Sequence, residues 1–208
     1  MTRVYLIRHG ATANNVEVPP RIQGRRSDPP LDPLGAEQGR RAAVLLSGQR
    51  LAAVYASPML RATQTAALIA GPHGLVPVVV AELTEADVGR WEGLTWNEAH
   101  ALDPDLCARF LANPGTVPYP DGESFLDVQR RAAPALTRLA AAHPGERIAV
   151  VGHNVVNRAC LAPLLGLPIG LARSLRQANG GISVIDHDDE GARVETLNAQ
   201  FHLDGIDD

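Results

Sequence analysis

Val4-Tyr5-Leu6-Ile7-Arg8-His9-Gly10-Ala11-Thr12 is the stretch on which the fold turns. Residues 4–7 form a short apolar run, rich in β-branched side chains, that predicts a buried strand. The run stops abruptly at Arg8-His9-Gly10. A second run, Arg147 to Val151, ends in the same manner, with Val150-Val151 leading into Gly152-His153. Leu51 to Tyr55 and Val76 to Val80 read as further strands. The last is almost purely β-branched, which predicts a strand covered on both faces.

Helical patterns lie between these runs. From Gly35 to Leu46, Ala36, Ala43, Val44 and Leu46 face one way, with Glu37, Arg40 and Arg41 opposite. Ser57 and Pro58 supply an N-cap and a first-turn proline for a helix that stops at Gly71-Pro72, with Leu60, Ala67, Leu68 and Ile69 as its apolar stripe. Ser124 to Ala142 reads as a long helix with Pro134 as a kink point, and Asn154 to Leu165 as a helix ended by Gly166. Gly181 to Ile185 and Arg193 to Leu197, joined through residues 188–191, read as a terminal hairpin. Strands that alternate with helices predict an α/β fold, a three-layer αβα sandwich with a mostly parallel sheet. A Pro-rich loop occupies 17–33, a strandless insertion falls around 96–122, and the tail 202–208 is expected to fray.

Bulk composition narrows the function classes. The 208 residues suit one domain, 1–208, with the 96–122 insertion as a small cap. Aromatics are only 4%, so the core must be built from Ala, Leu and Val. A net charge of −4 argues against a nucleic-acid surface or an anionic-membrane binder, so an anionic ligand would need a local cluster of positive charge. Cys107 and Cys160 have no paired spacing, which predicts free thiols and, with no signal-like or membrane-length apolar segment, a cytoplasmic protein. No His, Asp, Glu and Cys grouping has metal-ligand spacing, His187-Asp188-Asp189 being the nearest approach, so neither metal nor cofactor is expected.

Ligands of open α/β sheets bind beyond the carboxyl ends of the strands. If the two His-ended strands are neighbours, His9 and His153 share one rim. Leu51 to Tyr55 then delivers Arg61 on the following helix, and Val76 to Val80 delivers Glu82 and Glu85. Each residue alone has a bland reading, an end-of-strand polar group or a solvated arginine. Convergence at one rim is what would give them a joint purpose.

These segments resemble, in order, the signature of the histidine phosphatase superfamily, the phosphoglycerate-mutase-like group. Leu6-Ile7-Arg8-His9-Gly10-Ala11-Thr12 is similar to its nucleophile segment and Ser57 to Ala66 to its second segment. Leu83-Thr84-Glu85 with Gly89-Arg90-Trp91-Glu92-Gly93 resembles its acid segment, Asp121-Gly122-Glu123-Ser124 its Gly-Glu-Ser turn, and Val150-Val151-Gly152-His153 its distal histidine. The resemblance implies a phosphoglycerate-mutase-like fold and a hydrolase that passes phosphate through a phosphohistidine on His9. Arg8, Arg61 and His153 would surround the phosphoryl oxygens, a task for which the planar, permanently charged guanidinium is suited. Glu85 would protonate the leaving alkoxide, with Glu82 and Glu92 as local rivals. A glutamic acid that does so at neutral pH needs burial or a neighbouring like charge. Asn15, with Asn14 as the register alternative, matches the family's phosphate-contacting Asn, and Gln23-Gly24 its loop over the substrate. Thr12 reads equally as a helix cap.

Three departures qualify the match. The segment Leu83 to Gly89 lacks the Asn-Glu-Arg-His-Tyr of cofactor-dependent mutases, and the insertion is short, which favours hydrolysis over mutase chemistry. The loop between Asn15 and Gly35 is long and carries Arg21, Arg25 and Arg26, which either meet a second anionic group of the substrate or are solvated. Asn154 stands where many members have Gly. The expectation is a metal-independent phosphomonoesterase acting on a small phosphorylated metabolite. A phosphoglycerate mutase, a phosphoprotein phosphatase and a non-catalytic phospho-ligand sensor are its rivals. The oligomeric state stays open, a homodimer included.

Overall fold

The computed structural model describes residues 1–206. In chain order the elements are β1 (Thr2–Arg8), the single turn α1 (Ala13–Val16), α2 (Pro33–Ser47), β2 (Leu51–Ala56), α3 (Leu60–Ala70), β3 (Val78–Val79) and α4 (Trp96–Leu102). They continue with α5 (Pro104–Ala112), α6 (Phe125–Ala141), β4 (Arg147–Gly152), α7 (Asn154–Leu164), β5 (Ile182–Asp188) and β6 (Gly191–Ala199). The strands form one sheet in the order β3-β2-β4-β1-β5-β6. β3, β2, β4 and β1 run parallel, and the hairpin β5–β6 joins antiparallel to β1.

Side-chain alternation along the central strands makes the three layers. Val4 and Leu6 of β1, with Ile148 and Val150 of β4, face a core that includes Val128, Leu136 and Leu139 of α6 and Val156 and Leu161 of α7. Tyr5, Ile7, Ala149 and Val151 face the opposite core, with Ala42 and Leu46 of α2 and Ala66 and Ile69 of α3. Burial of each large aliphatic side chain contributes roughly 1.5–3 kcal/mol.

The β1–β4 register is what places the site. Leu6 pairs with Val150, Ile7 with Val151 and Arg8 with Gly152. The next residue on each strand is a histidine, and the His9 amide donates to the Gly152 carbonyl at 3.1 Å. The strand ends are therefore adjacent and level.

Several local expectations are corrected. Val76–Val80 is not a covered strand: only Val78–Val79 pair, on the sheet edge, and both are exposed. A β-branched run reports strand propensity, and burial is decided by what packs on it. The cap of α3 is Met59, not Ser57, and its buried face is Arg61, Ala62, Thr65, Ala66 and Ile69, while Leu60 is exposed. Val44 of α2 faces outward, and Gln38 and Gly39 take inward positions. The tail is docked through residue 206: His202 Nε2 lies 3.0 Å from the Gly180 carbonyl, and Arg41 donates to the Asp204 carbonyl at 2.8 Å. Residues 207–208 of the predicted frayed segment lie outside the described residues. Segment 96–122 holds α4 and α5 and no strand.

The loop after β1 is pressed against the first turn of α2. A Cβ on Gly10 would stand 2.1 Å from the Gly35 carbonyl oxygen, and one on Gly35 would stand 1.9 Å from the Ala11 carbonyl oxygen. Both are backbone contacts that cannot rotate away. Gly35→Ala should therefore cost several kcal/mol, whereas Gly48→Ala, at an open position with φ −78°, should be neutral or stabilise by about 0.5 kcal/mol. Thermal or urea unfolding of the two variants checks the contrast, and equal stabilities would refute the close approach.

Candidate active site

His9 is 3% exposed and its ring is oriented by its own neighbour: Nδ1 lies 2.7 Å from the Gly10 carbonyl oxygen. A carbonyl only accepts, so Nδ1 carries the proton and Nε2 presents a lone pair. The Arg61 Nε–H donates to that Nε2 at 3.3 Å. Arg61 is itself fully buried in the first turn of α3 and is fixed by the Gly24 carbonyl at 2.8 Å, the Ser27 carbonyl at 3.3 Å and Asp28 at 3.5 Å. Asp28 also accepts the Leu60 amide, so the 17–33 loop caps the helix that carries Arg61.

The His153 ring centroid is 5.0 Å from that of His9, at an interplanar angle of 60°. Its Nε2 is 2.7 Å from the Ser57 hydroxyl, whose oxygen also accepts the Met59 amide at 3.3 Å. Ser57, expected as a helix cap, thus holds the second histidine. Arg8 donates from Nη1 to the Gln177 carbonyl at 2.6 Å. Burial pulls its pKa down to about 10, still charged at neutral pH.

Glu85 is 3% exposed and sits at the start of α7, where its oxygens accept the amides of Ala86 at 2.9 Å, Val155 at 3.1 Å and Val156 at 3.3 Å. Carboxylates favour such helix N-termini. Its rivals are occupied elsewhere. Glu82 pairs with Arg138 at 2.7 Å, and Glu92 accepts from the Gly24 amide and the Ser27 hydroxyl.

A cavity of about 380 Å³ is walled by Arg8, His9, Asn15, Gln23, Glu85 and Tyr119 among others. Asn15 spends its Oδ1 on the Thr12 amide and on Asn179, and Gln23 Oε1 accepts the Thr12 hydroxyl. Thr12 therefore caps α1 and braces both amide side chains. Gln23 Nε2, Arg8 Nε, His153 Nδ1 and Asn154 Oδ1 are buried without a protein partner. Three of these residues, Arg8, Gln23 and Asn154, wall the cavity, and orphaned polar atoms there are the mark of a site built for a polar ligand. Gly24 contributes backbone only, its carbonyl anchoring Arg61.

Of the three loop arginines, Arg25 and Arg26 are exposed, as the solvated reading expected, and Arg21 lines the cavity, but all three are also held in ion pairs. Arg25 and Arg26 pair with Asp87 at 3.1 and 2.7 Å, and Arg21 pairs with Glu17 at 2.6 Å while donating to the Gly93 carbonyl. They strap the loop to the acid segment. Sequence reasoning missed Asn179, Arg158 and Arg173, which also wall the cavity. Arg158 had a readable signal: it stands four residues after Asn154, on the same face of a helix that begins at the rim. Asn179 enters because antiparallel β5 starts where the parallel strands end. Among the described residues no group of His, Cys, Asp and Glu is arranged to hold a metal ion, and no helix is long and apolar enough to cross a membrane.

Burial first, then the charges of Arg61 and its neighbours, hold both histidines well below the usual imidazole range. They stay neutral when folded but take up protons near pH 6.5 when unfolded. The unfolded chain therefore binds more protons below that pH, and stability falls as pH drops. Each histidine should contribute a loss of about 1.4 kcal/mol per pH unit below 6.5, until its lowered folded pKa is reached. Urea unfolding of the wild type and of His153→Gln from pH 7 to 5 checks this, and parallel curves would refute it.

A family model described as histidine phosphatase superfamily (branch 1) matches residues 4–200. The bifunctional protein Rv2228c of Mycobacterium tuberculosis is 35% identical over 204 residues, 97% of this chain and 55% of that protein. The chain thus spans about half the length of that relative. A probable phosphoglycerate mutase GpmB of Yersinia pestis is 30% identical over 209 residues, covering 98% and 96% of the two chains. Among solved structures, the mycobacterial glucosyl-3-phosphoglycerate phosphatase Rv2419c superposes with a TM-score of 0.83 at 29% identity, over 95% of this chain and 98% of that one.

Proposed function

The chain belongs to the histidine phosphatase superfamily, and from that premise we propose that it is a metal-independent phosphomonoesterase that hydrolyses a small phosphorylated metabolite through a phosphohistidine on His9. The observation that carries the reading is the fixed tautomer of His9: a neutral, buried imidazole whose unprotonated Nε2 accepts only a long bond from Arg61, with Arg8 and His153 alongside.

The geometry supports a two-step transfer. In the first, the Nε2 lone pair forms a bond to phosphorus while the bond from phosphorus to the ester oxygen breaks, and Glu85, which holds a proton once the negatively charged phosphoryl group lies beside it, delivers that proton to the departing alkoxide. In the second, water attacks the phosphohistidine, Glu85 takes the water's proton, and the Nε2–phosphorus bond breaks to restore neutral His9 and release phosphate. Charge on the phosphoryl oxygens is met by Arg8 and Arg61 and by the spare N–H of His153, which Ser57 leaves free at Nδ1 when its hydroxyl donates to Nε2. These groups are fixed before substrate arrives, and preorganised charge is the main catalytic contribution in phosphoryl transfer. Two guanidiniums take the place that a cation holds in other phosphatases, so the chemistry needs none. Two buried free thiols, Cys107 and Cys160, support a cytoplasmic place of work.

Similarity to the probable mutase GpmB keeps phosphoglycerate mutation as a second reading. A requirement for bisphosphoglycerate, with phosphate found on carbon and not in solution, would favour it.

A phosphate-release screen over metabolites in EDTA decides the first reading. His9→Ala should lose essentially all turnover, and a denaturing alkaline quench of the wild type should trap phosphate on the protein that is stable to base and lost in acid. Turnover that collapses with EDTA would overturn the metal-free mechanism. In kcat/KM, which reports formation of the phosphohistidine and not the water step that Glu85 also serves, Glu85→Gln should slow alkyl phosphates by about 10²–10⁴-fold. Aryl phosphates, whose phenolate leaves without a proton, should slow by less than about 10-fold. Equal losses would remove Glu85 from the acid role.

A further inference from the structure

Glu123, in the Asp121-Gly122-Glu123-Ser124 turn that the sequence singles out, has no task in the chemistry above. It lies against the backbone that carries the acid. The Glu123 amide donates to the Asp87 carbonyl at 2.8 Å, and the Asp87 amide donates to Glu123 Oε2 at 2.9 Å, a reciprocal pair. Gly122 permits the approach, because a Cβ there would stand 2.1 Å from the Asp87 carbonyl oxygen. The Glu123 carboxylate also accepts from Nε and Nη2 of Arg131, in the second turn of α6, at 2.8 and 3.0 Å.

Arg131 spends the rest of its guanidinium on main-chain oxygens. Nη1 donates to the carbonyls of Glu82 at 2.7 Å and Thr84 at 2.6 Å, and Nη2 donates to that of Glu85 at 3.2 Å. With the bidentate pair to Glu123, these contacts occupy all the N–H groups of the side chain. Residues 84–88 belong to no helix or strand, so no ladder fixes them. Their backbone needs partners from outside the segment, and one planar fork reaches carbonyls on both sides of Leu83. That fork is anchored to α6, which shares a core with α7: Val128, Ala132 and Leu136 with Val156 and Leu161. The Val155 and Val156 amides that bind the Glu85 carboxylate open α7. Backbone and side chain of Glu85 are thus referred to the same two helices. Arg138, two turns further along α6, offers the contrast, since its contact is an exposed ion pair with the Glu82 side chain.

We propose that Arg131 and Glu123 are positioning residues for general acid catalysis: together they hold the backbone of Glu85 so that its carboxyl group stands at the leaving oxygen. The inference rests on the phosphatase reading, with Glu85 as proton donor, and adds the two residues that make that donor effective. Proton transfer to a departing alkoxide requires hydrogen-bond reach. A misplacement of about 1 Å costs roughly 10²-fold. A glutamate on irregular backbone has the freedom to drift by that much, and the fork removes it. Neither Arg131 nor Glu123 walls the catalytic cavity, so their effect passes through Glu85 and not through contact with substrate.

The test measures kcat/KM for n-propyl phosphate and 4-nitrophenyl phosphate in the wild type and in Arg131→Met, Arg131→Lys, Glu123→Gln and Arg138→Met. Arg131→Met should slow the alkyl ester by about 10- to 100-fold, and the aryl ester, whose leaving group needs no proton, by less than about 3-fold. Arg131→Lys, which keeps the charge and fewer donors, should recover part of the alkyl rate. Glu123→Gln should shift the alkyl-to-aryl ratio in the same direction by about 3- to 10-fold. Arg138→Met should leave that ratio unchanged. In a Glu85→Gln background, Arg131→Met should move it by less than about 2-fold, since the group it positions is already gone. Equal losses on both esters, no loss, full additivity with Glu85→Gln, or an equal shift in Arg138→Met would overturn the proposal. Where thermal unfolding shows that Arg131→Met does not fold, Arg131→Lys and Glu123→Gln decide by the same ratio. If Glu85→Gln itself slows both esters alike, the acid assignment falls, and the positioning is decided by amide hydrogen exchange. The Val155 and Val156 amides should exchange at least about 10-fold faster in Arg131→Lys than in the wild type, with amides deeper in α7 unaffected. Unchanged rates at both amides would sink the clamp.

Discussion

The parallel pairing of β1 with β4 is the constraint on which the rest depends. Because Arg8 lies opposite Gly152, each strand runs out at the same height, and the residue after each is a histidine. The His9 amide bonded to the Gly152 carbonyl locks that alignment with backbone alone. A slip of one residue in this pairing would send every β1 side chain to the wrong core and part the two imidazoles. The hydrophobic alternation that fixes the sheet is thus the same device that fixes the site.

The electrostatics follow from where that pairing ends. A rim inside two layers of helix is dry, so neutral imidazole is favoured over imidazolium, and the guanidiniums around it strengthen the preference. Arginine tolerates the same burial because its intrinsic pKa is high enough to lose several units and remain charged. Residue chemistry therefore sorts itself: in one desolvated place, histidine supplies a lone pair and arginine supplies charge. The aromatic cluster of Trp91, Trp96, Phe110 and Tyr119 places the cap's apolar mass beside this rim, although aromatics are few in the chain.

Much of this was legible before any coordinates. The strand ends at Arg8-His9 and Gly152-His153, the helix bearing Arg61, and the acid segment at Glu85 all announce themselves by hydrophobic periodicity followed by a polar break. What failed was burial at the margins. Val76–Val80 has the composition of an inner strand but lies on an edge, because no element arrives to cover it. Ser57 has the composition of an N-cap, yet it serves His153 across the sheet. Val44 and Leu60 follow the apolar pattern and still face water. Those outcomes depend on neighbours distant in sequence, which a local pattern does not encode. The arginines show the same limit: Arg25 and Arg26 looked free because their carboxylate partner, Asp87, lies 62 and 61 residues away, while Arg158 and Arg173 looked ordinary and line the cavity.

The strap of Arg25 and Arg26 across to Asp87, together with Arg26 on the Asp121 carbonyl, ties the segment that holds Gln23 and Gly24 to the segment that holds Glu85. The loop beside His9 and the wall bearing Glu85 are consequently one mechanical piece. Lengthening or shortening either segment would therefore move the surroundings of His9 and of Glu85 together, while the β1–β4 floor beneath them stays where the sheet pairing holds it.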